Sequence, residues 1–353
     1  MPLVTIAIPN YNQGCFLDES IASALAQTFK DFEVVVVDNA STDDSREVIS
    51  RWVEKDARVK PFFHDQHTAI PIDNWNRCLE HAQGRYINFL HADDRLTPTY
   101  LEKCLEVYDL RPDLGYVYSE KEIIDGDGVS LGPQMIYHES GIIPGLSEAR
   151  VNLLGWHTVP VQTLMRTECL RSIGGYNFTD SLALLLLNLG WDVGYLKEAL
   201  VQNRKHELSA STRMIRDKSL ILSIHLTKTF VLNTCLPENG KHLMDLQPRI
   251  LERLAFICLD TYGLDVLAWG DRDLCREYLH LACSFWLGIA ETPLYGFLEK
   301  ALENESLNTE GIRTAWEKQK PPTKETGAPY PLPEGSLSLE GHPNDLKSTG
   351  RNL

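Results

Sequence analysis

The segment His91-Ala92-Asp93-Asp94 brings three side chains that could bind a metal ion into four positions. It follows Tyr86–Leu90, a largely apolar run that predicts a buried strand. Carboxylate oxygens bind hard divalent ions such as Mg²⁺. Such an ion can stabilise a phosphorylated leaving group as a Lewis acid and a template. The segment therefore indicates a divalent-metal site. The alternative is an acidic pair that caps a helix beginning near Thr97-Pro98.

Further polar and aromatic residues follow the first two predicted strands, Leu3–Ile8 and Phe32–Val37. The tyrosine among them can stack on a nucleobase, and the side chains after the second strand can hydrogen-bond a base or a ribose. A simpler alternative is that Tyr11 and Asn39 only finish the strand ends. The residues that follow the two strands are Pro9, Tyr11, Asp38 and Asn39.

Strand and helix patterns alternate over the first 120 residues. This alternation predicts an α/β fold with a mostly parallel, Rossmann-like sheet that has helices on both faces. Ligands of such sheets bind beyond the carboxyl ends of the strands, where the segments described above should meet. Further strands are predicted at Val59–Phe63, Tyr86–Leu90, Gln162–Arg166 and Val193–Val201, and a helix start at Ser41.

The pattern changes after the predicted sheet. Residues 131–150 are rich in Gly and Pro and predict a mobile loop. Long apolar-periodic stretches between 216 and 305 predict paired helices, which could bind the acceptor or join two copies of the chain. The predicted organisation is a catalytic domain at 1–215, a helical domain at 216–317 and a disordered tail at 318–353.

Four segments resemble, in order and spacing, the family 2 glycosyltransferases of GT-A fold. The likeness covers residues 3 to 211. Its elements are the opening Val4–Asn12, the stretch Leu25–Phe29, the run Val34–Asp43, and Gly84–Ile87 leading to Phe89–Asp94. The resemblance implies an inverting enzyme that uses a nucleoside-diphosphate sugar together with Mn²⁺ or Mg²⁺.

The resemblance also implies roles for individual residues. Asp93 matches the metal-binding position of the family's Asp-x-Asp motif, whereas His91 replaces its first acid and, with Asp94, is expected beside the nucleotide. Asn76 matches a polar position near the nucleotide, with an exposed helix residue as the alternative. Asn39 replaces the usual Asp, and its amide suits the edge of uracil or thymine, which favours a UDP- or dTDP-sugar.

Two more elements of the resemblance concern the reacting groups. Gly174-Gly175-Tyr176 leads to Asp180, the only carboxylate between Cys169 and Gly190, which we expect to be the general base. An N-cap of the following Leu-rich helix is the alternative role. In Arg204-Lys205-His206, the imidazole is expected to contact the metal and Arg204 the diphosphate; an ordinary solvated charged turn is the alternative.

The composition indicates which classes of partner and which cellular location to expect. The net charge of −15 argues against nucleic acid and anionic membranes as partners. Eight cysteines without a Cys-x-x-Cys pair indicate reduced thiols. Neither a secretory signal nor a membrane-spanning run is evident, so we expect a cytoplasmic protein, peripheral to the inner face of the membrane if its product is a surface glycan.

The function expected from the sequence is transfer of a sugar to a glycan, lipid-linked or peptide acceptor, in the biosynthesis of a cell-surface polysaccharide or glycoconjugate. Alternatives are a non-catalytic nucleotide-binding or scaffold protein of the same fold, and a pure interaction protein. A nucleotidyltransferase is disfavoured because Pro9–Gly14 lacks the basic residue that such an enzyme needs after its first strand. A homodimer through the helical region and a monomer remain equal alternatives.

Overall fold

The chain is described by a computed structural model, in which the described residues form two compact domains. A sheet domain contains residues 1–152, 158–206 and 330–340, and a helical domain contains residues 153–155 and 207–320. The boundary between the two domains lies after His206, whereas the sequence predicted it at residue 215. The described residues are 1–155, 158–177, 179–207, 209–304, 311–320 and 330–340.

The sheet domain contains one mixed sheet and the helices that flank it. Its elements are β1 (Val4–Asn10), α1 (Gly14–Leu25), β2 (Phe32–Asp38), α2 (Ser45–Lys55), β3 (Val59–Phe63), α3 (Pro71–His81), β4 (Tyr86–Phe89), β5 (Arg95–Leu96), α4 (Tyr100–Leu110), β6 (Tyr116–Ile124), β7 (Ser130–Gln134), β8 (Gly141–Ile143), α5 (Gly145–Leu154), β9 (Thr163–Arg166), α6 (Thr167–Ser172), α7 (Asp180–Gly190), β10 (Val193–Arg204) and, later in the chain, β11 (Leu337–Ser338).

The strand order is β11-β8-β10-β6-β9-β4-β1-β2-β3, with β5 beside β10 and β7 beside β6. The pairs β1–β2, β1–β4, β2–β3 and β6–β10 are parallel, whereas β9 runs antiparallel to both β4 and β6. The predicted α/β architecture is thereby confirmed. Because β1, β2 and β4 are parallel neighbours, their carboxyl ends lie at one edge of the sheet.

The strands β1, β2 and β4 are largely apolar because both faces of the sheet are covered. Along β2, Val34 and Val36 pack into one hydrophobic cluster, while Val35 and Val37 pack into the cluster on the opposite face. This alternation is the period of two that a strand imposes on its side chains. The same alternation determines on which face of the sheet each polar side chain lies at the ends of β1 and β2.

Two predictions about the sheet domain are wrong. Residues 131–150 contain β8, most of β7 and the start of α5 rather than a mobile loop. The tail predicted to be disordered contributes β11, whose Leu337 and Ser338 pair with Ile142 and Gly141. That strand is two residues long, and its partner lies almost 200 positions earlier, so no local pattern announces it. The rest of the tail beyond 340, and residues 321–329, lie outside the described residues.

The helical domain contains helices wherever the sequence predicted apolar periodicity. Its largest buried polar side chain is Lys228, whose Nζ donates to the carbonyl of Gly155 at 2.9 Å. Among the described residues, no helix combines the length and hydrophobicity needed to span a bilayer. The helices are α8 (Ala210–Arg216), α9 (Ser219–Phe230), α10 (Gln247–Phe256), α11 (Leu264–Ala268), α12 (Arg272–Phe285), α13 (Pro293–Glu303) and α14 (Ile312–Gln319).

Candidate active site

The carboxyl ends of β1 and β2 are joined by a buried hydrogen-bond network centred on Asp38. Asn10, its register partner, donates through Nδ2 to Asp38 at 2.8 Å, and the Ser41 hydroxyl donates at 2.5 Å. Arg46 forms an ion pair with the same carboxylate at 3.3 Å. Ser41 therefore closes the loop after β2, and the predicted helix start is wrong because α2 begins only at Ser45. Asp38 is completely buried and its carboxylate is engaged by these protein groups, which differs from its predicted contact with a base or a ribose.

An aromatic pair and an amide clamp lie beside this network. The rings of Tyr11 and His67 stack with centroids 4.0 Å apart, and Tyr11 keeps 36% of its surface exposed. The Asn39 amide is engaged within the protein: it donates to the Thr68 carbonyl at 3.0 Å and accepts from the Thr68 backbone N–H at 3.0 Å and from Arg77 at 3.1 Å. Tyr11 thus remains partly exposed although His67 stacks on its ring, whereas Asn39 does not present an unengaged amide to a base.

The side chains of the segment His91–Asp94 form a compact group that could bind a metal ion. One ligand atom from each of His91, Asp93 and Asp94 lies within 4.8 Å of the other two. Asp94 is fully buried and accepts from His91 Nδ1 at 2.9 Å, from Asn203 Nδ2 at 3.0 Å and from the Arg204 backbone N–H at 2.7 Å. Asp93 keeps 19% of its side chain exposed and lies 3.0 Å from His206 Nε2. Asp93 is therefore the accessible carboxylate, and Asp94 is held by the protein.

The two carboxylates differ in their electrostatics. Burial and the adjacent Asp93 charge raise the pKa of Asp94 above its ordinary value. Burial also disfavours ionisation of Asp93, but the hydrogen bond from His206 and the charge of His91 outweigh it and lower the pKa of Asp93. Burial would lower the pKa of His91, yet the hydrogen bond to Asp94 and the nearby carboxylates raise it. The surroundings of Asp93 therefore favour its charged form, whereas those of Asp94 disfavour it.

Arg204 is enclosed by protein groups, which differs from the predicted contact with a diphosphate. Its guanidinium donates to the carbonyls of Asp93 at 2.8 Å and Gly126 at 2.9 Å and to the Glu19 carboxylate at 2.7 Å, and its side chain is 1% exposed. It also lies over the Phe16 ring, 4.7 Å from the centroid. This arrangement holds the backbone of the segment His91–Asp94 through the carbonyl of Asp93. It leaves Arg204 poorly placed to bind a ligand.

The predicted general base lies at the start of α7. The Thr179 hydroxyl accepts from Leu182 N–H at 3.0 Å, so Thr179 is the N-cap and Asp180 is the first helical residue. The alternative cap role of Asp180 is therefore excluded. Burial raises the pKa of Asp180, and the charge of nearby His91 partly offsets this effect. A carboxylate with a raised pKa is a stronger proton acceptor.

Asn76 is also placed differently from its predicted role beside a nucleotide. Its Nδ2 donates to the Tyr176 carbonyl at 2.6 Å, and its Oδ1 accepts from the Tyr176 N–H at 2.9 Å. Both polar groups of the amide are thus used by the turn that precedes Asp180. Neither an exposed helix position nor a nucleotide contact describes this residue.

Several residues of the site escaped the sequence analysis. Asn203 donates to both oxygens of Asp94, Glu19 anchors Arg204, and Asn74 donates to the Val37 carbonyl at 3.1 Å from a buried position. The Trp75 ring lies 5.2 Å from the His91 ring. Asn203 could have been found, since it lies next to Arg204 and two residues after the predicted strand Val193–Val201. The others act through partners that are remote in sequence.

Among known proteins, residues 5–173 match the model of the family described as glycosyl transferase family 2. An uncharacterized glycosyltransferase of Haemophilus influenzae is 43% identical over 105 residues, 30% of this chain and 42% of the relative. The Campylobacter jejuni GalNAc(5)-diNAcBac-PP-undecaprenol beta-1,3-glucosyltransferase is 33% identical over 112 residues, 31% of this chain and 36% of the relative. The matches therefore span less than half of each relative.

Solved structures share the fold at low sequence identity. S. aureus TarS 1–349 in complex with UDP-GlcNAc has a TM-score of 0.62 and 18% identity, covering 96% of this chain and 99% of that one. The mannosyltransferase PcManGT of Pyrobaculum calidifontis, in complex with GDP-Man and Mn²⁺, has a TM-score of 0.52 and 18% identity, covering 90% and 88%. Both show that this chain has the GT-A fold with its helical C-terminal region.

Proposed function

We propose that this chain is an inverting, metal-dependent glycosyltransferase that moves a sugar from a nucleoside diphosphate to an acceptor hydroxyl. The observation that carries the proposal is the grouping of His91, Asp93 and Asp94 within 4.8 Å. This group follows β4, at the same edge of the sheet as Tyr11 and Asp38. A sugar nucleotide needs these two features together, a platform for its base and a centre that neutralises its diphosphate.

The donor set fits a divalent ion. Asp93 is partly exposed, its pKa is lowered, and His206 lies beside it, so these two residues would hold the ion. Carboxylate oxygens suit Mg²⁺ and Mn²⁺, and an imidazole ligand tilts a site towards Mn²⁺. A bound ion would stabilise the negative charge of the departing diphosphate. Asp94 and Arg204 would act indirectly by fixing the backbone that carries Asp93.

The chain's own groups account for the remaining steps. Tyr11, which is partly exposed, would stack on the nucleobase beside the buried Asp38 network. Asp180 would accept the proton of the acceptor hydroxyl as that oxygen attacks the anomeric carbon from the face opposite the leaving group. The bond from the anomeric carbon to the diphosphate oxygen breaks as the new bond forms, so configuration inverts. Burial of Asp180, which raises its pKa, supports this role.

For the nucleobase of the sugar donor and for the acceptor, we propose only a chemical class. The preference for UDP- or dTDP-sugars depended on an available Asn39 amide, and that amide is engaged by Thr68 and Arg77. TarS with UDP-GlcNAc still supports a uridine donor by analogy of fold. The relative acting on an undecaprenol-linked glycan supports a glycan or lipid-linked acceptor, with a peptide as the alternative. We place the reaction in the synthesis of a cell-surface glycan, at the cytoplasmic side.

The helical domain would supply a second binding surface. On α9, Leu222, Leu226 and Phe230 recur every four residues and remain 42%, 53% and 46% exposed. An exposed apolar stripe of this kind indicates a protein or ligand contact. We propose that a second copy of the chain covers it, with acceptor binding by a monomer as the alternative.

The experiment that tests the function measures metal-dependent turnover of UDP- and GDP-sugars. We expect turnover with Mn²⁺ or Mg²⁺, its loss on chelation by EDTA, and its loss in Asp93→Ala. Asp127→Ala, which removes an exposed carboxylate at the β6–β7 turn, is the matched control. Turnover that survives both EDTA and Asp93→Ala would refute the metal role.

A non-catalytic nucleotide-binding or scaffold protein of the same fold is the second candidate. The observation that favours it is the engagement of Asp94 and Arg204 by the protein, because both match positions expected to meet the donor. Donor binding without turnover of any sugar nucleotide would support this candidate. Transfer to an acceptor would exclude it.

A further inference from the structure

The turn before Asp180 has a backbone that only glycine adopts readily. Gly174 and Gly175 follow the end of α6, and their φ angles are +86° and +73°. Their N–H groups donate to the carbonyls of Arg171 at 3.0 Å and Leu170 at 2.9 Å. Left-handed residues of this kind end a helix and redirect the chain. The direction in which the chain leaves towards α7 is therefore set at this turn.

Asn76 of α3 fixes the next residue of the turn from the side. Its amide makes two hydrogen bonds to the backbone of Tyr176, one to the N–H and one to the carbonyl. A Cβ at Gly175 would lie 2.7 Å from Asn76 Oδ1, so the contact also requires a glycine there. One side chain thus determines the place of a backbone segment 100 positions later in the chain.

The neighbouring residue of α3 contacts the other half of the site. The Trp75 ring meets the Tyr176 ring edge-on at 5.0 Å and lies 5.2 Å from the His91 ring. Phe89, the last residue of β4, packs against both Trp75 and Tyr176. The two consecutive residues of α3 therefore touch the segment that leads to Asp180 and the segment that carries the metal-binding group.

From this geometry we infer that Trp75 and Asn76 are positioning residues, which set the place of Asp180 relative to His91 and Asp93. The inference rests on the proposed transferase function and concerns how the base is aligned. In-line attack requires the acceptor oxygen, which is bound by the base, to lie within a narrow distance of the anomeric carbon. A displacement of about 1 Å costs about 10²-fold in rate.

The test compares Asn76→Ala and Asn76→Asp with Asn177→Ala, which removes an exposed amide of the same turn. We expect Asn76→Ala to lower kcat for transfer about 10²-fold while the donor dissociation constant stays unchanged. Asn76→Asp should recover part of the rate, because its carboxylate still accepts from the Tyr176 N–H. Asn177→Ala should behave like the wild type. If Asn76→Ala weakened donor binding by the same factor by which it lowered kcat, Asn76 would have to contact the nucleotide. That result would overturn the inference.

Hydrogen exchange gives a second readout that needs no catalysis. The Tyr176 amide should exchange about tenfold faster in Asn76→Ala, since one hydrogen bond is lost, and at the wild-type rate in Asn177→Ala. Unchanged exchange would overturn the inference even in an active enzyme. A wild-type protein without donor turnover, combined with faster exchange in Asn76→Ala, would refute the proposed function while the positioning of the turn stands. If Asn76→Ala does not fold, Asn76→Ser, whose hydroxyl is too short to bridge the N–H and the carbonyl of Tyr176, carries both measurements.

Discussion

Glu148 gives the sheet domain a pH-dependent stability that can be calculated. The carboxylate is fully buried in α5, where it accepts from Tyr118 at 2.9 Å and from Tyr137 at 2.8 Å. Burial raises its pKa from 4.5 to about 7, and the tyrosine hydrogen bonds only partly oppose this effect. The folded protein therefore binds the Glu148 proton more tightly than the unfolded chain does.

The direction and size of the effect follow from that difference. Below pH 4.5 the carboxyl is protonated in both states and costs nothing. As the pH rises from 4.5 through 7, the unfolded chain ionises first, so the free energy of unfolding falls by about 3 kcal/mol. Glu148→Gln lacks the ionisable group. The difference in the free energy of unfolding between this variant and the wild type should therefore increase by about 2–3 kcal/mol as the pH rises from 5 to 8.5.

Urea unfolding at several pH values measures this gain, with the difference between variant and wild type as the reported quantity. Glu106→Gln is the control, because Glu106 is an exposed residue of α4 and its carboxylate is hydrated in both states. Its difference from the wild type should not change with pH. A constant difference for Glu148→Gln over the same range would refute the reasoning about the buried carboxyl.

Three further predictions concern the site and the helical domain. Asp180→Asn should reduce transfer by about 10²–10⁴-fold with donor affinity unchanged, measured by steady-state kinetics and calorimetry; near-normal turnover would move the base elsewhere. Arg204→Met should lower the free energy of unfolding by about 2–4 kcal/mol in urea, whereas a residue that only contacts the donor would leave stability unchanged. Light scattering should find a dimer for the wild type at micromolar concentration and a monomer for Leu226→Glu; a monomeric wild type would favour acceptor binding instead.

The sequence predicted the frame of the site well because local patterns determine it. The apolar runs of β1, β2 and β4 give buried parallel strands, and the sheet rule brings their carboxyl ends together. The segments after those strands, Tyr11, Asp38 and Asp93, were found in this way. Asp93 as the accessible carboxylate also agrees with the family motif.

The hydrogen-bond partners inside the site could not be predicted in the same way. Asn39, Asn76 and Arg204 each carry polar groups that a ligand could use, and a single sequence does not reveal that protein groups engage them. Their partners lie between 29 and 185 positions away, and only the packed fold brings them close. The same limit applies to β11, which is a strand only because β8 offers it an edge.

The measurement that tests the central claim most directly is calorimetric binding of UDP-, dTDP- and GDP-sugars with and without Mn²⁺ or Mg²⁺. We expect at least one sugar nucleotide to bind in a metal-dependent way, with binding lost in Asp93→Ala and retained in Asp127→Ala. Binding that is independent of metal and unaffected by Asp93→Ala, or the absence of binding by every donor tested, would contradict the assignment of this site as the donor site of a glycosyltransferase.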